Sequence, residues 1–332
     1  MSEAKYTLVT GAAGFIGSAL IHALNQSGLT DIVASDILGQ DEKFKNLIPL
    51  RYADYIEADS LISFAAEDPG YFDKFDTIFH LGACSATTEK DASYLIRNNY
   101  EYTKTLAAIA IKKGIRFVYA SSAATYGDGS KGMDDTLEDL HSLCPLNMYG
   151  YSKHMFDCYA QRMGWLDKIV GLKYYNVFGP NEWHKGDMRS LVAKSYEQIL
   201  THGEIALFKS YHPNYTDGNQ MRDFLYVKDA VAMTIHLANT PKVNGLFNLG
   251  SGQANTWNTL AEAIFAALDR PANIRYIEMP EQLKGKYQYY TCANTEKLYS
   301  TGYNIDCYTL QNAVKDYVQQ YLVTGKHLGQ EN

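Results

Sequence analysis

The chain has 332 residues, 46% of them hydrophobic and 20% charged, with a formal net charge of −7. That is apolar material for one large domain or two unequal ones, and it excludes a disordered chain. The acidic balance argues against a nucleic-acid binder, although a local cluster of Lys and Arg could still meet an anionic substrate.

The first twenty residues hold no basic segment followed by an apolar one. No run approaches the roughly 18 apolar residues of a membrane span, so a soluble protein with no membrane partner is expected. Five widely spaced cysteines, an odd number without a CxxC pair, fit reduced thiols in a cytoplasmic protein better than a disulfide framework. The nine histidines lack HxH or HExxH spacing, and no metal site is expected.

In chain order, short β-branched or aromatic runs predict strands at Tyr6–Val9, Ile32–Ser35, Thr77–Leu81, Phe117–Ala120 and Val170–Tyr175. Between them Phe15, Ile16, Ala19, Leu20, Ala23 and Leu24 recur at helical spacing, as do Tyr102, Leu106, Ile109 and Ala110. Strands alternating with helices predict a parallel sheet covered by helices. From Asn176 the alternation loosens, and Gly179-Pro180-Asn181 and His212 to Gln220 read as loops. Strands at Phe224–Val227 and Leu246–Leu249 are expected to return to the main sheet. From about Trp257 the chain reads as mostly helical, with a short strand at Ile274–Ile277. The expected fold is α/β: a Rossmann-like doubly wound parallel sheet with a smaller, interleaved α+β substrate domain. Residues 1–175 plus about 223–249 would bind a dinucleotide. Residues 176–222 plus 250–332 would bind substrate.

Thr10-Gly11-Ala12-Ala13-Gly14-Phe15-Ile16-Gly17 follows a strand and opens a helix. Gly11, Gly14 and Gly17 permit a tight turn whose backbone N–H groups approach a pyrophosphate at the helix N-terminus. Asp36, followed by Ile37, ends the next strand, where an acid would bind the ribose diol. Lys43 could instead neutralise a 2′-phosphate. The two signals oppose each other, so these residues alone leave NAD and NADP both open.

Tyr149-Gly150-Tyr151-Ser152-Lys153 opens a helix and sets Tyr149 and Lys153 on one face. A nearby ammonium and a cationic nicotinamide would lower the tyrosine pKa and make it a general base. Ser122, directly after the Phe117–Ala120 strand and Ser121, can hydrogen-bond the oxygen that becomes a carbonyl. Alone, YxxxK recurs by chance; with the serine it becomes specific.

Several segments together carry a family resemblance: His80-Leu81-Gly82-Ala83-Cys84-Ser85-Ala86-Thr87-Thr88-Glu89, Ala120 to Gly127, Pro145 to Lys153, Tyr175 to Gly186, Arg222-Asp223-Phe224 and Leu283-Lys284-Gly285-Lys286-Tyr287-Gln288. On these the chain resembles the ADP-L-glycero-D-manno-heptose 6-epimerases, extended short-chain dehydrogenase/reductases of the NAD-dependent epimerase group that serve lipopolysaccharide core biosynthesis. The resemblance implies that Phe15, Ile16, Asp36, Ile37, Lys43, Leu81, Gly82, Ala83, Cys84, Ser85, Asn98, Lys153 and Val177 contact the dinucleotide. It implies that Ser122, Asn176, Asp187, Lys194, Phe208, Lys209, Ser210, Tyr211, Arg222 and Tyr287 hold the sugar nucleotide.

It further implies transient oxidation at C6″ to a ketone and hydride return to the other face. Tyr149 would serve one face and Lys185 the other. The implied cofactor is NADP, with NAD as the alternative, and the implied assembly is a homo-oligomer, a pentamer. The chain departs from the family at Ala58, where a second phosphate-binding lysine falls, at Asp187 and Lys194, and in the longer His212–Gln220 stretch. Related dehydratases carry an Asp-Glu pair where Ala123 and Ala124 stand, so elimination lacks its acid and base. The remaining alternatives are a nucleotide-sugar 4-epimerase, such as one acting on a UDP-hexose, and a silent dinucleotide sensor. Such sensors commonly lose the Tyr or Lys that this chain keeps.

Overall fold

In a computed structural model, which describes residues 5–284 and 287–330, the β-branched runs form most of the strands. In chain order the strands are β1 (Tyr6–Thr10), β2 (Ile32–Asp36), β3 (Asp54–Glu57), β4 (Phe75–His80), β5 (Arg116–Ser122), β6 (Val170–Tyr174), β7 (Asn176–Phe178), β8 (Ile205–Phe208), β9 (Met221–Tyr226), β10 (Gly245–Leu249), β11 (Ala254–Thr256) and β12 (Ile274–Ile277). Seven form one parallel sheet in the order β10-β6-β5-β4-β1-β2-β3. Adjacent residues face opposite sides of a strand, and both sides here are covered. Leu8 and Phe117 enter one core cluster, while their neighbours Val9 and Val118 enter the other.

The winding reverses between β1 and β4. From β1 the chain steps outward through β2 and β3, and from β4 it steps the other way. The carboxyl ends of β1 and β4 therefore diverge into loops that frame a crevice, where open α/β sheets take their ligands. Helix Phe15–Gln26 starts at that crevice with Phe15, Ala19, Leu20 and Leu24 buried. Helix Tyr102–Lys113 buries Tyr102, Leu106 and Ala110 and stops at Gly114, whose φ of 68° is left-handed.

Strand β10 joins the main sheet beside β6, as expected, but the Phe224 strand does not. Instead β9 lies between β7 and β11 in a separate three-stranded sheet. The cause is Asp223. Its buried carboxylate accepts the N–H groups of Ser251 (2.7 Å) and Gly252 (3.0 Å), tying β9 to the loop beyond β10, and that of Ala293 (2.9 Å) from the segment before the Glu296–Ser300 helix. Strands β8 and β12 pair in parallel as a third, two-stranded sheet. The short β3, β7, β8 and β11 were not legible in the sequence. Asp54–Glu57, for instance, is polar and only partly covered. No described helix is long and apolar enough to cross a membrane.

Candidate active site

The glycine turn is shaped by contacts that a side chain would destroy. Gly11 has φ 67°, and a Cβ there would lie 2.7 Å from the backbone nitrogen of Gly82. A Cβ on Gly17 would lie 2.0 Å from the Gly11 carbonyl oxygen, which fixes how closely the helix approaches the turn. The loop after β4 packs on the same turn: Leu81 N–H donates to Thr10 O (3.2 Å) and Gly82 N–H to the Thr10 hydroxyl (3.1 Å).

Asp36 and Lys43, which the sequence sets in opposition, form an ion pair at 2.9 Å. Asp36 is 8% exposed and also accepts from Ala13 N–H (2.8 Å) and Ile37 N–H (2.7 Å). Its carboxylate therefore organises the glycine turn and the lysine together. Ala58 is buried at the start of its helix, with no cation in its place.

Asn98 turns its amide back to Tyr94 O at 2.8 Å. Its neighbour Asn99 is fully buried and holds the loop at Cys84, accepting from Cys84 N–H (2.8 Å) and donating to Cys84 O (3.0 Å) and the Ser152 hydroxyl (2.9 Å). Residues Ile96–Glu101 form a π-helical turn, which changes the helical phase so that Asn99 faces inward. The sequence reading missed Asn99. Both asparagines were visible, but the phase was not.

Ser122 ends β5 and is 9% exposed. Helix Met148–Arg162 begins under an Asn147 cap, whose side chain accepts Gly150 N–H at 2.7 Å. A Cβ on Gly150 would lie 2.8 Å from Ala124 O, and this close approach brings Tyr149 to Ser122. Lys153, one turn on and 5% exposed, donates to Ala120 O at 2.8 Å. Burial lowers its pKa to about 8, with Asp157 opposing. Burial pushes the Tyr149 phenol up, and the opposing group is the Ser122 hydroxyl.

Lys185 lies in the short turn Trp183–Met188, half-buried, with Nζ 5.2 Å from the centroid of the Phe15 ring. Burial lowers its pKa and Glu182 partly restores it. His184, beside it, is pushed by burial down to about 4. Lys185 thus borders the first residue of the helix that the glycine turn opens.

A cleft of about 500 Å³ gathers Asn176, Val177, Lys194, Phe208 and Tyr287, with Trp257 in its wall. Lys194 also donates to the exposed Asp187 through that residue's carbonyl at 3.2 Å. Arg222, 6% exposed, packs between the rings of Trp257 (5.8 Å) and Tyr287 (5.1 Å) and donates to Met221 O and Gln288 O. Lys209 and Tyr211 follow Phe208 but do not line this cleft; both are bonded to Glu278, and Ser210 N–H donates to Asp217 at 2.8 Å. Gly285 and Lys286 of the Leu283–Gln288 motif lie outside the described residues.

Against this geometry stand the relatives. Residues 7–250 match the NAD dependent epimerase/dehydratase family. A protein of Nitratidesulfovibrio vulgaris named ADP-L-glycero-D-manno-heptose-6-epimerase is 51% identical over 315 residues, 95% of this chain and 97% of its own length. The chain belongs to the NAD-dependent epimerase/dehydratase family. A Fusobacterium nucleatum protein of the same name is 43% identical over 95% of this chain and 97% of its own. The crystal structure of the Helicobacter pylori ADP-L-glycero-D-manno-heptose-6-epimerase superposes with a TM-score of 0.76 at 27% identity, covering 95% of this chain and 96% of that one. A Bacillus cereus UDP-glucuronic acid 4-epimerase, solved with UDP-glucuronic acid and NAD, shares the fold at TM-score 0.76 and 23% identity, over 95% of this chain and 99% of that one.

The family's nicotinamide dinucleotide fits the residues present. The glycine turn leaves room that a Cβ would fill, and Asp36 with Lys43 supplies polar groups for a ribose at the end of β2. Beneath Ser122 and Lys153 this family member carries a polar cluster that the sequence reading also missed. Asp157, four residues past Lys153, is fully buried and bonds Tyr119 (2.8 Å), Ser121 (2.8 Å) and the fully buried Lys173 (2.9 Å). The fourth-residue spacing of Tyr149, Lys153 and Asp157 was the available signal. Its partner Lys173 comes from β6 and could not be foreseen.

Proposed function

We propose that the chain is an isomerase that interconverts ADP-D-glycero-D-manno-heptose and ADP-L-glycero-D-manno-heptose at C6″. The observation that carries this reading is 51% identity, over 95% of the chain, to a protein bearing that name. The retained Ser122, Tyr149, Lys153 and Lys185 supply the chemistry. A bound nicotinamide dinucleotide supplies reversible oxidation of the C6″ alcohol to a ketone. Tyr149 takes the hydroxyl proton at its phenolic oxygen, and Ser122 donates a hydrogen bond to the same sugar oxygen. Lys153 holds the cofactor side of this arrangement. Lys185 serves as the second acid/base once the ketone has presented its other face. Arg222 clamps the substrate pyrophosphate, with Asn176, Lys194, Phe208 and Tyr287 around the nucleotide.

NADP is the cofactor in this reading. Pairing with Lys43 mutes the repulsion that a bare Asp36 would exert on a 2′-phosphate, and the lysine stands ready at the ribose. The reading includes a cytoplasmic homo-oligomer, a pentamer by family resemblance. It also takes residues 1–175 with about 223–249 as the dinucleotide-binding domain, and the remainder as the substrate domain. Elimination is disfavoured because the turn Ala123–Tyr126 offers methyl groups where an acid and base would stand.

The test is incubation with ADP-D-glycero-D-manno-heptose and resolution of the C6″ epimers by NMR, with UDP-glucose and dTDP-glucose in parallel. Epimer formation on the heptose alone is expected. Turnover of UDP-glucose instead would make the chain a 4-epimerase, and no turnover on any of the three would favour a silent dinucleotide sensor.

A further inference from the structure

Glu182 is 1% exposed, and nothing in the reaction scheme uses it. A carboxylate withdrawn from water needs several donors to remain charged. Here its Oε2 accepts Ser190 N–H (2.5 Å), and its Oε1 accepts the hydroxyls of Ser190 (2.6 Å) and Tyr317 (2.9 Å). Residues 182 and 190 are the two ends of the segment that bears Lys185. The carboxylate therefore ties the start of that segment to its finish. Tyr317, fully buried, fixes the tie to the last stretch of the chain.

The base of the segment is anchored again next door. Asn181, buried with φ 77°, donates to the Ser18 hydroxyl (3.0 Å) and accepts Leu328 N–H (3.0 Å). Its carbonyl oxygen accepts from Asn46 at 3.0 Å. Within the segment, Lys185 N–H donates to Glu182 O (3.0 Å) and Arg189 N–H to Gly186 O (3.2 Å). A segment pinned at both ends in this way has few places to put its central side chain.

We propose that Glu182 is a positioning residue for Lys185, closing the 182–190 segment through Ser190 and Tyr317 and setting the charge that the ammonium meets. The proposal rests on the reading of Lys185 as the second acid/base. Burial lowers the pKa of the Lys185 amine, and the Glu182 carboxylate opposes this. Burial likewise raises the pKa of Glu182, opposed by Ser190, Lys185 and Tyr317. The other charged or titratable groups facing the pair are His184, which burial keeps neutral, Arg189, which is held by Glu197 at 2.5 Å and also faces Glu182 and Tyr317, and Lys194, which donates to Asp187 O.

The experiment compares the full-length enzyme with Lys185→Met, Glu182→Gln and Tyr317→Phe, measuring kcat, KM and their pH dependence on ADP-D-glycero-D-manno-heptose. Glu182→Gln keeps the side-chain size but loses the charge. It should lower kcat roughly 10- to 100-fold with KM unchanged, because displacing a reacting group by about 1 Å costs about that much. The pH limb that Lys185→Met abolishes should move to lower pH in Glu182→Gln, since removal of a neighbouring negative charge disfavours the ammonium. Tyr317→Phe should lower kcat less and leave that limb in place. If Lys185→Met loses kcat while Glu182→Gln and Tyr317→Phe keep both kcat and pH profile, the positioning role is overturned and the Lys185 reading stands. If Lys185→Met keeps kcat, the acid/base reading fails and the proposal with it. If Glu182→Gln does not fold by circular dichroism, Tyr317→Phe decides: reduced kcat at constant KM supports the proposal, and unchanged kcat overturns it.

Discussion

Replacing Lys153 with Met should make the unliganded protein relatively more stable at neutral pH while removing activity. Lys153 is 5% exposed, and burial depresses its pKa from 10.5 to about 8. A shift of about 2.5 units at 1.36 kcal/mol per unit amounts to about 3 kcal/mol held against folding below pH 8. The unfolded chain binds the proton more tightly, so this penalty is full below the folded pKa and fades as pH rises from about 8 toward 10.5. Methionine removes the penalty but also loses the charged hydrogen bond to Ala120 O, worth about 1.5–3 kcal/mol. The net gain at pH 7 is therefore about 0–2 kcal/mol, and the informative quantity is its pH dependence. Denaturant unfolding of both cofactor-stripped proteins from pH 7 to 9.5 should show the methionine advantage shrinking by about 2 kcal/mol. A difference independent of pH would refute the reasoning, because the folded lysine would then titrate as it does in the unfolded chain.

Two further outcomes are expected. Arg222→Lys should raise KM with little change in kcat, a loss of about 1–3 kcal/mol in binding, because the planar fork between Trp257 and Tyr287 is replaced by a single point charge. Steady-state kinetics with an unchanged KM would remove Arg222 from the site. Denaturing the purified protein should release NADP, identified by chromatography, and Lys43→Ala should weaken its retention. Predominant NAD would instead assign Asp36 to the ribose diol.

The chain order of the elements was largely legible because its signals are local. Alternation of β-branched runs with helical spacing fixed the main-sheet strands other than Asp54–Glu57, and Gly11, Gly14 and Gly17 announced the crevice at the end of β1. Tyr149 and Lys153 share a helix face by spacing alone, and Ser122 stands at the end of its strand. What the sequence could not decide is every feature made by residues distant along the chain or by a choice of helical phase. Asp36 and Lys43 read as rivals until the fold paired them at 2.9 Å. Asn99 rather than Asn98 holds the Cys84 loop because a π-helical turn shifts the phase. The Asp223 carboxylate draws β9 away from the main sheet, and the Glu182 carboxylate closes the Lys185 segment with a tyrosine 135 residues further on. Periodicity reports which face of an element is apolar. It carries no information on which distant donor will meet a buried carboxylate, since that meeting exists only after the chain has folded and the unmet group would be too costly to bury.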